Sequence, residues 1–559
     1  MYFIFSSMLC LAYRICMQKL LLINCTSPLI YAFKDLGYIV ESISVHMRTY
    51  DIAAKITEMQ FEPELILQQE YLGRRVLLQG LERINCLKIF WSVDTHMNMY
   101  WHGYYAELFD CVLTTQKKYT LQLKRICNTK IEWLPWMGTL HAGKSGLASH
   151  TKREHNVTFV GRVTSHRPSR KWFVDFLTSH YGLHLLDGLN FDEMMAAYRN
   201  TRIVPNEALF GEVNFRLFEA ASSGCAVVTP NVGDELGELF EIGTEIEVYN
   251  DVLELKEILD RLTKKKSATA SIGMAAYARI LRDHLPISRA TKIIQIAHDT
   301  APRSIHADHA EFSLCMCELA LGESGESVDW GELQRRLISL ERSEARDAAL
   351  FRVFYRLGQP ELFMERIKPY LKLNTSIEDC YFNMTASLCA VKFGQWDVAK
   401  YFWYMYAAAN SMVADKPAEE TQLLVYWGDA LNKSGITLRV GVAFNEQTDI
   451  PTCASDCYFA ALYRDPENKK IFSRLANLFR DVMGGEISRL GFLSHLSLHN
   501  PNDWRLSAEV GITNLKVFRF SEGLRELANA VNIAKKNGQE RLLRSKLNQE
   551  LPAYNLLSN

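Results

Sequence analysis

Asn206-Glu207-Ala208-Leu209-Phe210-Gly211-Glu212-Val213-Asn214-Phe215-Arg216-Leu217-Phe218-Glu219-Ala220-Ala221-Ser222-Ser223-Gly224-Cys225-Ala226-Val227-Val228-Thr229 carries more structural information than any other part of this chain. It reads as loop, short helix, glycine stop and buried strand. Val213, Leu217, Ala220, Ala221 and Gly224 let the helix pack tightly, and Gly224 suits the left-handed residue that ends a helix. Cys225 to Thr229 follows as a core strand. Arg216, Glu219 and Ser223 are spaced i, i+3 and i+7, so they share the remaining helical face. A guanidinium and a carboxylate on a helix that begins at a loop make a cradle for a hydroxylated ring and a phosphate. The plain alternative is an i,i+3 surface pair worth roughly 0.2–0.5 kcal/mol.

The same rhythm continues on both sides of this stretch. Upstream, strands are expected at Leu20–Asn24, Tyr38–Val45, Glu64–Gln68, Leu87–Val93, Cys111–Thr114 and Ile131–Leu134, with helices between them. Ser145–Glu154, rich in Ser, Gly, Lys and His, reads as a linker. A second series then places strands at Asn156–Val160, Leu183–Leu186, Thr201–Pro205 and Glu245–Val248, and closes with three helices before His298. Such alternation argues for two parallel sheets, each covered on both faces, with a ligand crevice between the sheet ends.

Beyond Ala301 the strand signal stops and amphipathic helix takes over. Pro466 and Pro501 open helical runs 35 positions apart, and Phe393-Gly394-Gln395-Trp396-Asp397 looks like the turn inside a helical repeat. That period approaches the 34 residues of the tetratricopeptide repeat; a non-repeating bundle is the alternative. The domains expected are therefore 1–17, an N-terminal extension from a mis-assigned start; 18–146 and 147–300, two Rossmann-like units; and 301–559, an all-α, TPR-like region.

Bulk properties narrow the function classes. A chain of 559 residues needs several cores. Its net charge of −1 gives no ground for non-specific nucleic-acid or anionic-membrane binding. Thirteen scattered cysteines fit a reducing cytoplasm. Met1–Met17 is too short to span a bilayer, and no later apolar run is long enough. Cys315-Met-Cys317, Cys453-x3-Cys457 and His306-x2-His309 lack a second ligand pair at zinc-finger spacing, so no metal is expected. There is no Gly-x-Gly-x-x-Gly after the first strand, no P-loop, no Gly-x-Ser-x-Gly, no His-Glu-x-x-His and no Asp-x-Asp.

Three segments remain that can carry chemistry. Phe159-Val160-Gly161-Arg162 has Arg167, Arg170 and Lys171 close behind; a glycine there admits a ligand to the backbone, and an arginine grips a diphosphate. The Asn206–Thr229 stretch is the second. The third is Phe90-Trp91-Ser92-Val93-Asp94-Thr95-His96, which hangs Asp94 and His96 over the crevice. Asp94 as a simple helix cap, Arg162 as a solvated loop residue and His96 as a surface histidine are the alternatives.

With Trp91-Ser92-Val93-Asp94, Phe109-Asp110-Cys111-Val112-Leu113-Thr114-Thr115, Leu134-Pro135-Trp136, Val157-Thr158-Phe159-Val160-Gly161, the Asn214–Gly224 run, Leu239-Phe240-Glu241-Ile242-Gly243-x-Glu245 and His284-x4-Arg289 in order, the first 300 residues resemble GT-B glycosyltransferases. The likeness is to the bacterial, spore-maturation CgeB-type branch of the retaining group 1 enzymes. The resemblance implies a nucleotide-sugar donor, with Glu219 on the ribose hydroxyls and Gly161 and Arg162 at the diphosphate. Asn214 and Arg216 would lie near the phosphates or sugar, and Asp94 or His96 would act on the acceptor side. One departure stands out. The group has two glutamates eight positions apart, and eight before Glu219 stands Gly211; Glu212 and Glu207 are out of register.

The expected activity is metal-independent, retaining hexosyl transfer to a protein, lipid-linked glycan or polysaccharide in the cytoplasm. No cofactor is expected, and the helical region would dock acceptor or partner protein. The alternatives are a catalytically inactive GT-B scaffold and a sugar-nucleotide epimerase or hydrolase of the same fold.

Overall fold

The computed structural model describes residues 18–139, 147, 149–372 and 379–557. The expected 1–17 extension and positions 145, 146 and 148 of the expected linker lie outside the described residues. The first sheet has the order β2-β1-β4-β6-β7-β8, built from Lys19–Ile23 (β1), Ile39–Ile43 (β2), Leu65–Gln69 (β4), Leu87–Ser92 (β6), Cys111–Thr114 (β7) and Lys130–Trp133 (β8). Every pairing in it is parallel. Thr49–Asp51 (β3) and Leu77–Gln79 (β5) form a small parallel pair that the sequence reading did not anticipate.

Period-2 alternation explains why this sheet is buried on both faces. Leu21, Ile23, Ile66, Phe90 and Val112 point into one core. Their neighbours Leu20, Leu22, Leu65, Leu67, Ile89, Trp91, Cys111 and Leu113 point into the other.

The second sheet is β10-β9-β11-β12-β13, from His155–Val160 (β9), His184–Leu186 (β10), Thr201–Pro205 (β11), Ala226–Pro230 (β12) and Glu247–Tyr249 (β13), again all parallel. Strand order reverses at β9, between β10 and β11, so a crevice opens at the carboxyl ends of β9 and β11. The decisive helix spans Phe215–Ser222, and Gly224, at φ +67°, ends it as expected. Two residues of the described part of the expected linker, His150 and Arg153, are buried, while Ser149, Thr151, Lys152 and Glu154 are exposed. His150 Nε2 bonds Gly224 O at 2.7 Å, and the buried Arg153 donates to Thr201 O and Ser223 O.

Helical segments tie these lobes together. Pro286–His298 buries Ala290, Ile293 and Ala297 against the first lobe. Arg289 donates to Pro135 O and Trp136 O, and His284 to Leu239 O, so the His284-x4-Arg289 motif is a staple between the lobes.

The C-terminal region is all helix among its described elements, from Ala307–Glu323 to Glu540–Glu550, followed by a short 3-10 turn. It has its own core around Phe351, Phe382, Phe402 and Trp427. Its ends do something else. Ala310, Leu314, Cys317 and Leu321 complete the first-lobe core. Trp504, Ala508, Ile512, Leu527 and Leu547 complete the second-lobe core with Val157, Phe159 and Phe173. The helical region is thus an arc seated on both lobes. No helix among the described residues is long and apolar enough to cross a membrane.

Candidate functional site

A cleft of about 710 Å³ lies between the lobes, and Asp94, His96, Gly161, Arg162, Asn214, Arg216 and Glu219 all line it. Thr164, Arg167, Tyr198 and Glu212 line it too. The surface-pair alternative for Arg216 and Glu219 does not describe this geometry, because both side chains face the cleft. Ser223, by contrast, is fully buried at the end of its helix and takes no part.

The second lobe supplies the cationic wall. Arg216 stacks its guanidinium over Phe159, 4.2 Å from the ring centre. It donates to Val160 O at 3.0 Å and to Asn206 Oδ1 at 2.7 Å, which pins it between the ends of β9 and β11. Asn214 Nδ2 joins the same knot through Asn206 Oδ1 and Glu207 O, both at 3.0 Å. Gly161 makes this approach possible, since a Cβ there would lie 2.9 Å from Arg216 Nη2. Arg170 is taken up by a buried pair with Glu207, whose Oε2 accepts from Arg170 Nη2 at 2.7 Å and from Nε at 2.9 Å. Lys171 pairs with Asp175 on the outer helix surface. Arg162 and Arg167 line the cleft without a side-chain hydrogen bond or ion pair among the described residues, and Arg167 lies within electrostatic reach of Asp94.

Three carboxyls face this charge. Burial pushes Glu219 up to about 7, against the pull of Arg216. Burial pushes Glu212 up to about 8, with Glu207 and Asp94 adding to the rise, and its Oε2 has no hydrogen-bond partner. Of the two out-of-register glutamates, Glu212 is the one that lines the cleft, while Glu207 is spent on Arg170. Gly211, at the position of the missing glutamate, has φ +65° and offers its carbonyl to Lys118 Nζ at 2.5 Å.

The first lobe builds its wall from distant pieces. Asp94 sits at the cap position of the helix Thr95–Ala106 but makes no side-chain capping bond. Glu70, from just past the end of β4, instead holds the backbone immediately before that helix. Its carboxylate accepts from Val93 N and Asp94 N at 2.7 Å each and from Asn98 Nδ2 at 2.6 Å, and His102 Nε2 stands 3.3 Å away. His102 Nδ1 in turn meets Ser92 Oγ at 2.9 Å. With its backbone held this way, Asp94 aims its carboxyl at the cleft. Burial and then Glu70 push it up to about 7, opposed by Arg167 and Arg75. Burial pulls the His96 imidazole down to about 4, so it is neutral at pH 7.

The lobes touch directly at the site. Gln116 exchanges two hydrogen bonds with the backbone of Val213, at 2.8 and 3.1 Å. Lys118 Nζ binds Phe210 O and Gly211 O and lies 3.9 Å from Met483 Sδ of the helical region. Glu70, Gln116 and Lys118 escaped the sequence reading. Each acts on backbone atoms far away in the chain, and no local motif marks such a role.

Chemically, the arrangement offers arginines and a helix N-terminus for an anion, and a partly buried glutamate on the Asn214–Gly224 run for hydroxyls. Glu212 and Glu219 on the same wall and Asp94 across the cleft are carboxyls raised toward neutrality.

No curated protein matches the chain significantly in sequence. Among solved structures, a sucrose-phosphate synthase from Thermosynechococcus elongatus is similar at a TM-score of 0.39 and 12% identity, over 50% of this chain and 98% of that one. HepE from Anabaena, in complex with UDP-glucose, is similar at 0.37 and 13%, over 50% of this chain and 99% of its own. The family model described as glycosyl transferase-like matches residues 147–295, the lobe that carries Gly161, Arg162, Asn214, Arg216 and Glu219.

Proposed function

We propose that this chain is a glycosyltransferase that takes a sugar from a nucleotide-diphosphate donor bound in the interlobe cleft. The observation that carries the reading is the convergence on one crevice of two uncommitted arginines, a helix N-terminus and Glu219, within the segment that matches the glycosyl transferase-like model. The helix starting at Phe215 and the Arg162 and Arg167 guanidiniums meet the charge of the departing diphosphate. Glu219 accepts from the ribose hydroxyls. Asp94, with a pKa near the working pH, exchanges a proton with the acceptor hydroxyl, and neutral His96 donates or accepts a hydrogen bond beside it. In this reading transfer is retaining and needs no divalent ion, because the arginines do that work. Its CgeB-type assignment rests on the motifs of the first 300 residues. The helical region, read as TPR-like hairpins, docks a protein or glycan acceptor. Free thiols at every described cysteine suit a reducing, cytoplasmic setting.

The experiment is calorimetric titration of a UDP-sugar panel into wild type, Arg162→Ala and Glu219→Ala. Loss of about tenfold or more in affinity in each variant is expected, since one charge-assisted hydrogen bond is worth about 1.5–3 kcal/mol. Unchanged affinity in both variants overturns the site. A second reading, an inactive scaffold, draws on Gly211 standing where the group carries a glutamate. Nucleotide release that requires an acceptor supports transfer, donor binding without any turnover supports the scaffold, and an isomerised donor supports an epimerase.

A further inference from the structure

The helical pair Lys469–Leu478 and Glu486–His499 presses its closed end against the site loop: a Cβ on Gly484 would lie 2.6 Å from Phe210 N. The open end of the same hairpin carries a different chemistry. His495 and His499 are one turn apart on the second helix, so their imidazoles lie on one face. Glu467, in the turn before the first helix, reaches the same place. One ligand atom from each residue falls within 4.8 Å of the others, and no other trio of His, Cys, Asp or Glu does so among the described residues.

The geometry points to a site for a borderline divalent ion of the zinc class, held by His495, His499 and Glu467. Three details favour an ion over a mere surface cluster. The His495 ring stacks on Phe472, 3.8 Å between centres and 13° from parallel, which fixes its plane. His495 Nε2 is shielded and has no hydrogen-bond partner, a state that costs free energy unless something binds there. The His499 ring lies 4.8 Å from that of His495, and its Nε2 is 3.9 Å from Glu467 Oε2.

Tetrahedral zinc with bonds of about 2.0–2.1 Å sets its ligand atoms about 3.3 Å apart. The Glu467 side chain, 78% exposed, is free to swing by the remaining distance. Two imidazoles and one carboxylate match the ligand preference of zinc and not of magnesium. Water completes the fourth position. An ion here joins the two ends of the hairpin whose tip braces the site loop. The second helix runs 14 residues, about 20 Å at 1.5 Å per residue, so the ion stands clear of the transfer chemistry. The inference does not rest on the glycosyltransferase reading.

The test uses full-length protein free of any histidine tag, stripped with chelator and titrated with zinc chloride, with magnesium chloride as control. Wild type is expected to bind one zinc per chain and to gain a few degrees in Tm on binding. His495→Ala, His499→Ala and Glu467→Gln should each lose at least about tenfold in zinc affinity. His499→Ala and Glu467→Gln alter partly exposed side chains, so their effect is readable even where His495→Ala disturbs the stack on Phe472. Failure of wild type to bind zinc overturns the proposal, and so does equal binding by wild type and all three variants.

Discussion

The second-lobe wall of the cleft comes from short pieces of chain that bring their chemistry with them, Gly161–Arg162 after β9 and Asn206–Glu219 after β11. The first-lobe wall has no such run. Asp94 faces the cleft because Glu70, 24 residues earlier, holds its amide, and the walls stay together because Gln116 grips Val213, 97 residues later. The difference teaches that anion binding can be written into a strand end and a helix start, where strand order alone opens a crevice. A titrating acid needs a built enclosure, and enclosure is a tertiary property.

Glu70→Ala is the hardest blow to that contrast. It leaves two backbone N–H groups and His102 buried without their carboxylate, and a loss of about 3–5 kcal/mol is expected in denaturant unfolding. Stability within 1 kcal/mol of wild type, as an order of magnitude, would show that the first-lobe wall stands without it.

Gly161→Ala sharpens the other side. The new Cβ pushes Arg216 away from Val160 O, so donor affinity should fall by about 1.5–3 kcal/mol with little change in Tm. A clear fall in Tm with donor affinity unchanged would make Arg216 a packing residue only.

Gln116→Ala removes the bonds between the walls. About 1–2 kcal/mol of stability should go with the two hydrogen bonds, and donor affinity should drop less than in Gly161→Ala.

The remaining effect is in pH. A carboxyl raised by burial holds its proton more tightly folded than unfolded, so it opposes folding as pH climbs from its ordinary value to its raised one. For Glu212 that window runs from 4.5 to about 8, and for Asp94 from 3.8 to about 7. Unliganded Tm should therefore fall across pH 5–8, by roughly a few degrees. Glu212→Gln should flatten the upper part of the slope. An identical slope in the variant would mean that the Glu212 carboxyl is already ionised in the folded state.

The sheet strands were readable because a parallel strand buried on both faces is a continuous apolar run, as Leu20–Ile23 and Ala226–Val228 are. Thr201–Pro205 and Cys111–Thr114 appear with the expected bounds. The β3–β5 pair was not readable, since three-residue strands carry no period. Arg216 and Glu219 were legible as one helical face. That Arg170 is consumed by Glu207, and that Arg167 is left free, depends on where the β9 and β11 ends meet.

Chain-local physics thus set the alternation of strand and helix, the glycine stop at Gly224 and the cation-rich turn after β9, because backbone preference and side-chain period act over a few residues. Folding in three dimensions set which carboxyl is capped, which is desolvated, and how one helical arc comes to sit on both lobes. Burial and hydrogen bonding between residues from about 20 to almost 400 positions apart fix those outcomes, and such partners leave no trace in a local pattern.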